Sequence, residues 1–238
     1  MDRMSQPRHA ETGAPHTLAE PERLAIAISS QTGSGGMAVA QRLGAGLQAN
    51  TPASEPPWTV FDRNLIVKVL EDHNLPPGLA KHLREDASSR LEDAVEELLG
   101  LHPPSWLIVR HSIDTVHKLV RAGNVILVGW GVTLITAKMP GVFHVRLFGS
   151  LDKRIARIQE RDHLSRAQAL ALITRQDRGR ERYIKRHFGH QITDPLLFHL
   201  IINTDQFSEA EAADLIAYAA LAKYQAHTLG GSQLARAA

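Results

Sequence analysis

Short, continuously apolar runs alternate along this chain with stretches of helical periodicity. The clearest runs are residues 24–28, 124–128 and 142–147. They lack the polar–apolar alternation of a strand that has one solvent-exposed face. Strands buried on both faces are typical of a parallel sheet that is covered by helices. The order of runs and helical stretches therefore predicts an α/β fold in which helices flank a mostly parallel sheet of about five strands.

Capping patterns support the same element order. An N-cap residue accepts backbone N–H bonds at the start of a helix, and a glycine often follows its last turn. Residues 105–122 read as a helix that ends at a glycine, and three further helices have serine starts. These signals are Gly123, Ser150, the pair Ser165 and Gln168, and the pair Ser208 and Glu211.

The composition is that of a globular chain, with 43% apolar and 22% charged residues among 238. We expect a disordered N-terminal extension over 1–22, one folded domain over 23–226 and a flexible tail over 227–238. No apolar run approaches the roughly 20 residues of a membrane-spanning helix, and no cysteine is present for disulfides or thiolate metal sites. A cytoplasmic location without membrane partners is the resulting expectation.

Charge is unevenly distributed along the chain. The formal net charge is only +2, which argues against a general nucleic-acid-binding role, yet residues 146–190 carry 12 Lys/Arg against 5 Asp/Glu. One interpretation is a solvated basic helix. The other is an anion-binding surface suited to phosphates or to a nucleic-acid backbone.

A glycine-rich stretch, Thr32–Gly36, separates the first predicted strand from a helix over 37–48. Backbone N–H groups in such a turn can surround an anion, and the helix N-terminus adds partial positive charge. A plain strand-to-helix turn would use the same glycines. Ligands of open α/β sheets bind beyond the carboxyl ends of the strands, so residues 29–36, 129–131 and 203–205 are expected to converge on one crevice.

Several stretches, in this order, resemble the cytidylate kinase-like family of P-loop nucleoside monophosphate kinases. The first, Ile28–Ala40, is similar to the family's opening motif I-S-R-x-x-G-S-G-G-R-x-I-A, and Phe61–Ile66 is similar to Y-D-R-x-L-I. The remaining stretches are Gly123–Gly131, Pro140–Leu147, Leu151–Ile158, Asp177–Gly189 and Leu200–Asp205.

The resemblance implies a P-loop kinase-like three-layer fold and transfer of the ATP γ-phosphoryl group to a nucleoside monophosphate such as CMP, with Mg²⁺ accompanying ATP. By the same resemblance, the phosphate loop is Gly33, Ser34, Gly35 and Gly36. The acceptor side holds Asp62 and Arg63, with Asp205 also assigned to substrate, and a closing lid carries Arg175, Arg178 and Arg180. Asp62 could instead be a simple helix N-cap beside a solvated arginine.

Several cations of the family pattern are absent. Ser30, Met37 and Trp130 stand where the family has arginines, and Gly36 and Met37 occupy the lysine and hydroxyl positions of a full Walker loop. Because phosphoryl transfer depends on positioning and charge neutralisation, a kinase and a catalytically impaired nucleotide-binding or regulatory relative both remain open. A nucleic-acid-binding protein that uses the basic helix is the third candidate. The 13 histidines show no zinc-helix spacing, so no metal-ligating set is predicted.

Overall fold

The computed structural model describes residues 23–62, 105–129 and 131–235. Its strands are β1 (Ala25–Ser30), β2 (Thr59–Phe61), β3 (Val125–Val128), β4 (Val142–Phe148) and β5 (Leu200–Asn203). Its helices are α1 (Gly36–Ala49), α2 (Ser105–Ala122), α3 (Val132–Ile135), α4 (Leu151–Asp162), α5 (Arg166–Phe188) and α6 (Glu209–Ala235), with a 3₁₀ turn at Pro195–Leu197.

The five strands form one sheet in the order β2-β3-β1-β4-β5, and every neighbouring pair is parallel. Ala25 lies opposite both Val125 and Val142, so β1 is the central strand. The predicted parallel sheet is confirmed, and the three clearest apolar runs are neighbours in it.

Alternate side chains of β1 enter two different cores. Ile26 and Ile28 pack with α1 and α6, whereas Ala25 and Ala27 pack with α2 and α3 on the opposite face. Because both faces are covered, the central strand carries no solvent-facing polar residue before Ser30. This produces the unbroken apolar run that predicted the strand.

The capping signals are confirmed. Ser150 accepts the Lys153 N–H at the start of α4, and Ser165 with Gln168 forms a reciprocal capping box on α5. Ser208 and Glu211 do the same at the start of α6. Gly123 follows α2 with φ +70°, a left-handed conformation that glycine adopts without steric cost.

The structure adds two short elements that the sequence patterns did not indicate, α3 and the 3₁₀ turn, since neither is long enough to show periodicity. It also extends α6 to Ala235, through Gly230 and Gly231, where the sequence favoured the start of a loose tail. Glycine lowers helix stability by about 1 kcal/mol relative to alanine without forbidding a helix. No helix among the described residues combines the length and apolarity needed to cross a bilayer.

Candidate functional site

The loop between β1 and α1 depends on glycine at two positions. Gly33 and Gly35 have φ values of +80° and +81°, a region that other residues rarely enter. A Cβ on Gly33 would also lie 2.7 Å from the carbonyl oxygen of Arg154. The hydroxyl of Ser34 points inward and donates to the Gln31 carbonyl at 2.8 Å. The sequence therefore builds a tight turn that is closed by hydrogen bonds from both the N–H and the hydroxyl of Ser34 to the Gln31 carbonyl.

The turn leads directly into the N-terminus of α1. Gly35 occupies the N-cap position without a side-chain cap, and the first N–H groups of a helix have no acceptor within it. Gly36 and Met37, at the first turn, line a large cleft. Backbone donors and the helix dipole thus converge on a position suited to an anion.

Helix α5 is docked against this loop. Asp177 Oδ1 accepts the Thr32 N–H at 3.0 Å, and the Thr32 hydroxyl donates to Gln176 at 3.2 Å. Arg180 Nη1 donates to the Ser30 carbonyl at 3.1 Å. Helix α5, which the family resemblance assigned to a lid, therefore contacts the loop directly.

Arg154, on α4, ties the loop to two other elements. Its guanidinium donates to the carbonyls of Thr32 and Gly149, both at 3.1 Å, and to Asp177 Oδ2 at 2.6 Å. Its side chain is only 9% exposed, so this ion pair is well shielded from water. Sequence reasoning missed Arg154 because a single arginine in a basic helix resembles any solvated one.

The cleft has a volume of about 1260 Å³ and lies beyond the carboxyl ends of β1 and β3. Its lining includes both signs of charge and, among the described residues, no lysine. The charged lining residues are Asp62, Arg157, Glu160, Arg161, Asp162, Arg175, Arg180 and Glu209.

Most predicted site residues meet in this cleft. Its lining contains Gly33, Gly35, Gly36, Asp62, Arg175 and Arg180. Three others are not part of this lining. Ser34 is buried within the loop, Arg178 is exposed, and Asp205 is half-buried. Arg63 and Trp130 fall outside the described residues.

Asp205 has a structural partner at the start of α4. Its Oδ2 accepts the Ser150 N–H at 2.9 Å, and hydrogen bonds from Ser150 hold the pKa of this carboxyl below its ordinary value. The carboxylate thus stabilises the junction between β5 and α4, although the loop that carries it does follow a parallel strand as predicted.

A family comparison matches residues 25–206 to the cytidylate kinase-like family. The chain belongs to this family. Family membership supports a nucleotide kinase-like function, and Ser30 and Met37 stand in this chain in place of the motif's arginines.

Individual relatives are more distant. A cytidylate kinase of Sulfolobus acidocaldarius is 38% identical over 73 residues, which cover 30% of this chain and 40% of that protein. A crystal structure of an uncharacterized Eubacterium ventriosum protein superposes with a TM-score of 0.55 at 19% identity, covering 82% of this chain and 96% of that one. The second likeness concerns the fold.

The family implies Mg²⁺ with ATP, and the described side chains do not fit a protein-ligated ion. Met37 stands where the Walker pattern places a hydroxyl ligand, and a thioether is a poor partner for this hard cation. No group of three potential ligand side chains is found within residues 23–62, 105–129 and 131–235. The phosphate oxygens of the nucleotide are the donors that would carry the ion.

Proposed function

We propose that this cytidylate kinase-like protein transfers the γ-phosphoryl group of ATP to a nucleoside monophosphate, with CMP as the first acceptor to test. The observation that carries the proposal is the glycine loop at the N-terminus of α1, open to a cleft of about 1260 Å³. Typical ligand pockets measure roughly 300–1,000 Å³, so the cleft is at least as large as a typical ligand pocket. A cytoplasmic setting is part of the same proposal.

The proposed roles follow from position. The N–H groups at Gly33, Gly35 and Gly36 bind ATP phosphate oxygens, while Arg175 and Arg180 supply charge from α5. Asp62 and Arg63 belong to the acceptor side. The bond from the γ-phosphorus to the bridging oxygen breaks as a bond to an acceptor phosphate oxygen forms, which yields ADP and a nucleoside diphosphate without an enzyme-bound intermediate.

A second function is favoured by the neutral first turn of α1. Gly36 and Met37 offer backbone N–H groups but no formal charge, and charge-assisted bonds are roughly twice as strong as neutral ones. A protein with this loop can bind a nucleotide yet turn it over slowly. The alternative is thus a nucleotide-binding, regulatory member of the family.

Two measurements separate these functions. ADP formation is followed with Mg·ATP and each nucleoside monophosphate in turn, and binding of a non-hydrolysable ATP analogue is measured by calorimetry on the same preparation. Binding with acceptor-dependent ADP formation supports the kinase. Binding without it supports the regulatory alternative, and the absence of binding contradicts both.

The loop variant Met37→Arg tests whether the missing loop cation limits nucleotide binding or turnover. It restores a cation at the first turn of α1, so nucleotide affinity or turnover should rise about tenfold at low salt. Ala45→Arg is the matched control, since Ala45 is exposed on the same helix but outside the cleft lining. An equal effect of both variants would show that net charge alone is responsible.

A further inference from the structure

The outward side of the second half of α5 is strongly basic. At about 3.6 residues per turn, four exposed cations lie within about 60° of one line along the helix. These are Arg178, Arg182, Lys185 and Arg186, and we refer to them as the basic face. The buried residues of α5 lie on the opposite side of the helix. A helix that packs with one side therefore presents a basic surface on the other.

The carboxylates of α5 do not neutralise the basic face. Asp177 is directed at the glycine-rich loop, where it accepts the Thr32 N–H. Glu181 lies one residue before Arg182, and hence about 100° around the helix from it. Within the described parts of the chain, three members of the face form no ion pair: Arg178, Lys185 and Arg186.

Helix stability alone does not account for this pattern. Arg182 has an arginine four residues away on each side, and like charges at this spacing destabilise a helix. Lys185 and Arg186 lie in the last turn of α5, where a cation interacts favourably with the helix dipole. Arg178 is too far from that end, because the effect falls off within one turn. A polyanion that covers the face would relieve the repulsion.

We propose that the basic face binds the phosphate backbone of a double-stranded nucleic acid. Residues 178 and 186 are about 12 Å apart along the helix axis, and the phosphates of one strand of B-DNA repeat about every 3.4 Å along its own axis. The face therefore matches roughly four phosphates. Contacts to phosphates carry no sequence information, so the binding is independent of sequence.

This surface is separate from the proposed nucleotide site. Arg175, the next cation towards the start of α5, lines the cleft and is not included in the basic face. None of the four members of the face lines the cleft. The inference goes beyond the proposed function and does not depend on it.

The neighbouring side chains favour a duplex over a single strand. Proteins that bind single strands stack the bases on aromatic rings. Tyr183 is half-buried, and its ring packs against that of His187 with the ring centres 4.4 Å apart. It therefore offers no open platform for a base beside the basic face.

The same helix does not fit a lipid surface. A helix that lies in a membrane interface buries an apolar face beside its cations. Within α5, which the structure describes in full, Leu170 is the one exposed large apolar residue, and it lies in the first half of the helix. The basic face thus has charge without an apolar flank.

The near-neutral net charge of the chain, +2, does not prevent this binding. Exposed charges farther apart than about 10 Å are largely screened at 0.1 M salt. The local charge of α5 therefore decides the interaction, which should depend strongly on salt.

The experiment follows binding of a fluorescein-labelled DNA duplex of about 20 base pairs to the full chain by anisotropy, over a series of salt concentrations. With about four phosphate contacts, log K should fall with log salt at a slope of about −3.6. Lys185→Gln combined with Arg186→Gln removes two contacts, so the slope should become shallower by about 1.8 and the Kd at low salt should rise about tenfold or more. Arg178→Gln alone should make the slope shallower by about 0.9. An RNA duplex, measured in the same way, shows which nucleic acid is preferred.

The matched control is Lys118→Gln combined with Arg121→Gln. These two residues are exposed and three positions apart on α2, so the change in net charge is the same, and the duplex should bind as it does to the parent. Melting temperatures of all variants verify that each is folded. Equal weakening in both double variants would assign the binding to net charge and overturn the proposal.

Two further outcomes also overturn it. One is the absence of duplex binding by the parent protein at low salt. The other is binding to vesicles that contain an anionic lipid, lost in the Lys185 and Arg186 double variant, while duplex binding is unaffected by that variant. Neither residue lines the cleft, so binding of an ATP analogue should be the same in the double variant as in the parent.

Discussion

The backbone N–H of Thr32 donates a 3.0 Å hydrogen bond to Oδ1 of Asp177, 145 residues further along the chain. The other oxygen of the same carboxylate accepts a bond from Arg154. One side chain of α5 therefore fixes both the glycine-rich loop after β1 and the helix that follows β4. Loop geometry in this protein depends on a remote ion pair as well as on its glycines.

Replacement of Asp177 by Asn should destabilise the protein by about 2 kcal/mol, because Arg154 loses its ionic partner in a shielded position. The amide oxygen can still accept the Thr32 N–H, so the loss of stability measures the contribution of the carboxylate charge. Urea denaturation measures it. Asp152→Asn breaks the exposed pair with Arg166 and should change stability by less than about 0.5 kcal/mol; equal losses in the two variants contradict the prediction.

Arg180 and Arg178 should differ in nucleotide binding. Arg180 lines the cleft and contacts the loop, whereas Arg178 is exposed outside the lining. Arg180→Ala should weaken binding of an ATP analogue at least about tenfold, and Arg178→Ala by less than about twofold, because only the former charge is close to the bound phosphates. Calorimetry at low salt tests this, and a larger effect at Arg178 would reverse the assignment.

Gly36 should not tolerate a side chain while Ser30 is present. A Cβ there would lie 2.4 Å from the Ser30 hydroxyl oxygen and 2.7 Å from its Cβ. Gly36→Ala should therefore destabilise by about 2 kcal/mol. In a Ser30→Gly background, Gly36→Ala should lower the free energy of unfolding by much less. Additive effects of the two substitutions would show that the clash with Ser30 does not cause the loss of stability.

His144 should make the protein less stable in mild acid. Burial, then the charges of His199 and Lys223, lower its pKa from an ordinary 6.5 to about 4. Between these values the unfolded chain binds more protons, so the free energy of unfolding falls as the pH decreases from 6.5 towards 4, by about 3 kcal/mol in total.

Denaturation at several pH values measures this slope. His144→Asn should flatten it, although His199, whose pKa burial also lowers, contributes in the same direction. His163→Asn is the control, since His163 is exposed in a left-handed conformation that Asn tolerates. A slope unchanged by His144→Asn contradicts this account.

Local patterns predicted the fold but only part of the site. Continuous apolar runs, serine caps and the glycine turn depend on near neighbours, and the structure confirms them. Arg154 and Asp177 were missed as a pair because their contacts with Thr32 span more than 120 residues and leave no periodic signal.

The central position of β1 has a consequence for synthesis of the chain. Its two neighbours are residues 125–128 and 142–147, so about 120 residues must follow β1 before both its edges can be paired. Contacts this far apart in sequence favour slow folding. Ribosome-stalled chains that end before residue 142 should therefore leave Ala25–Ser30 open to protease and to chaperones that bind apolar strands, and protection should appear only once β4 has emerged.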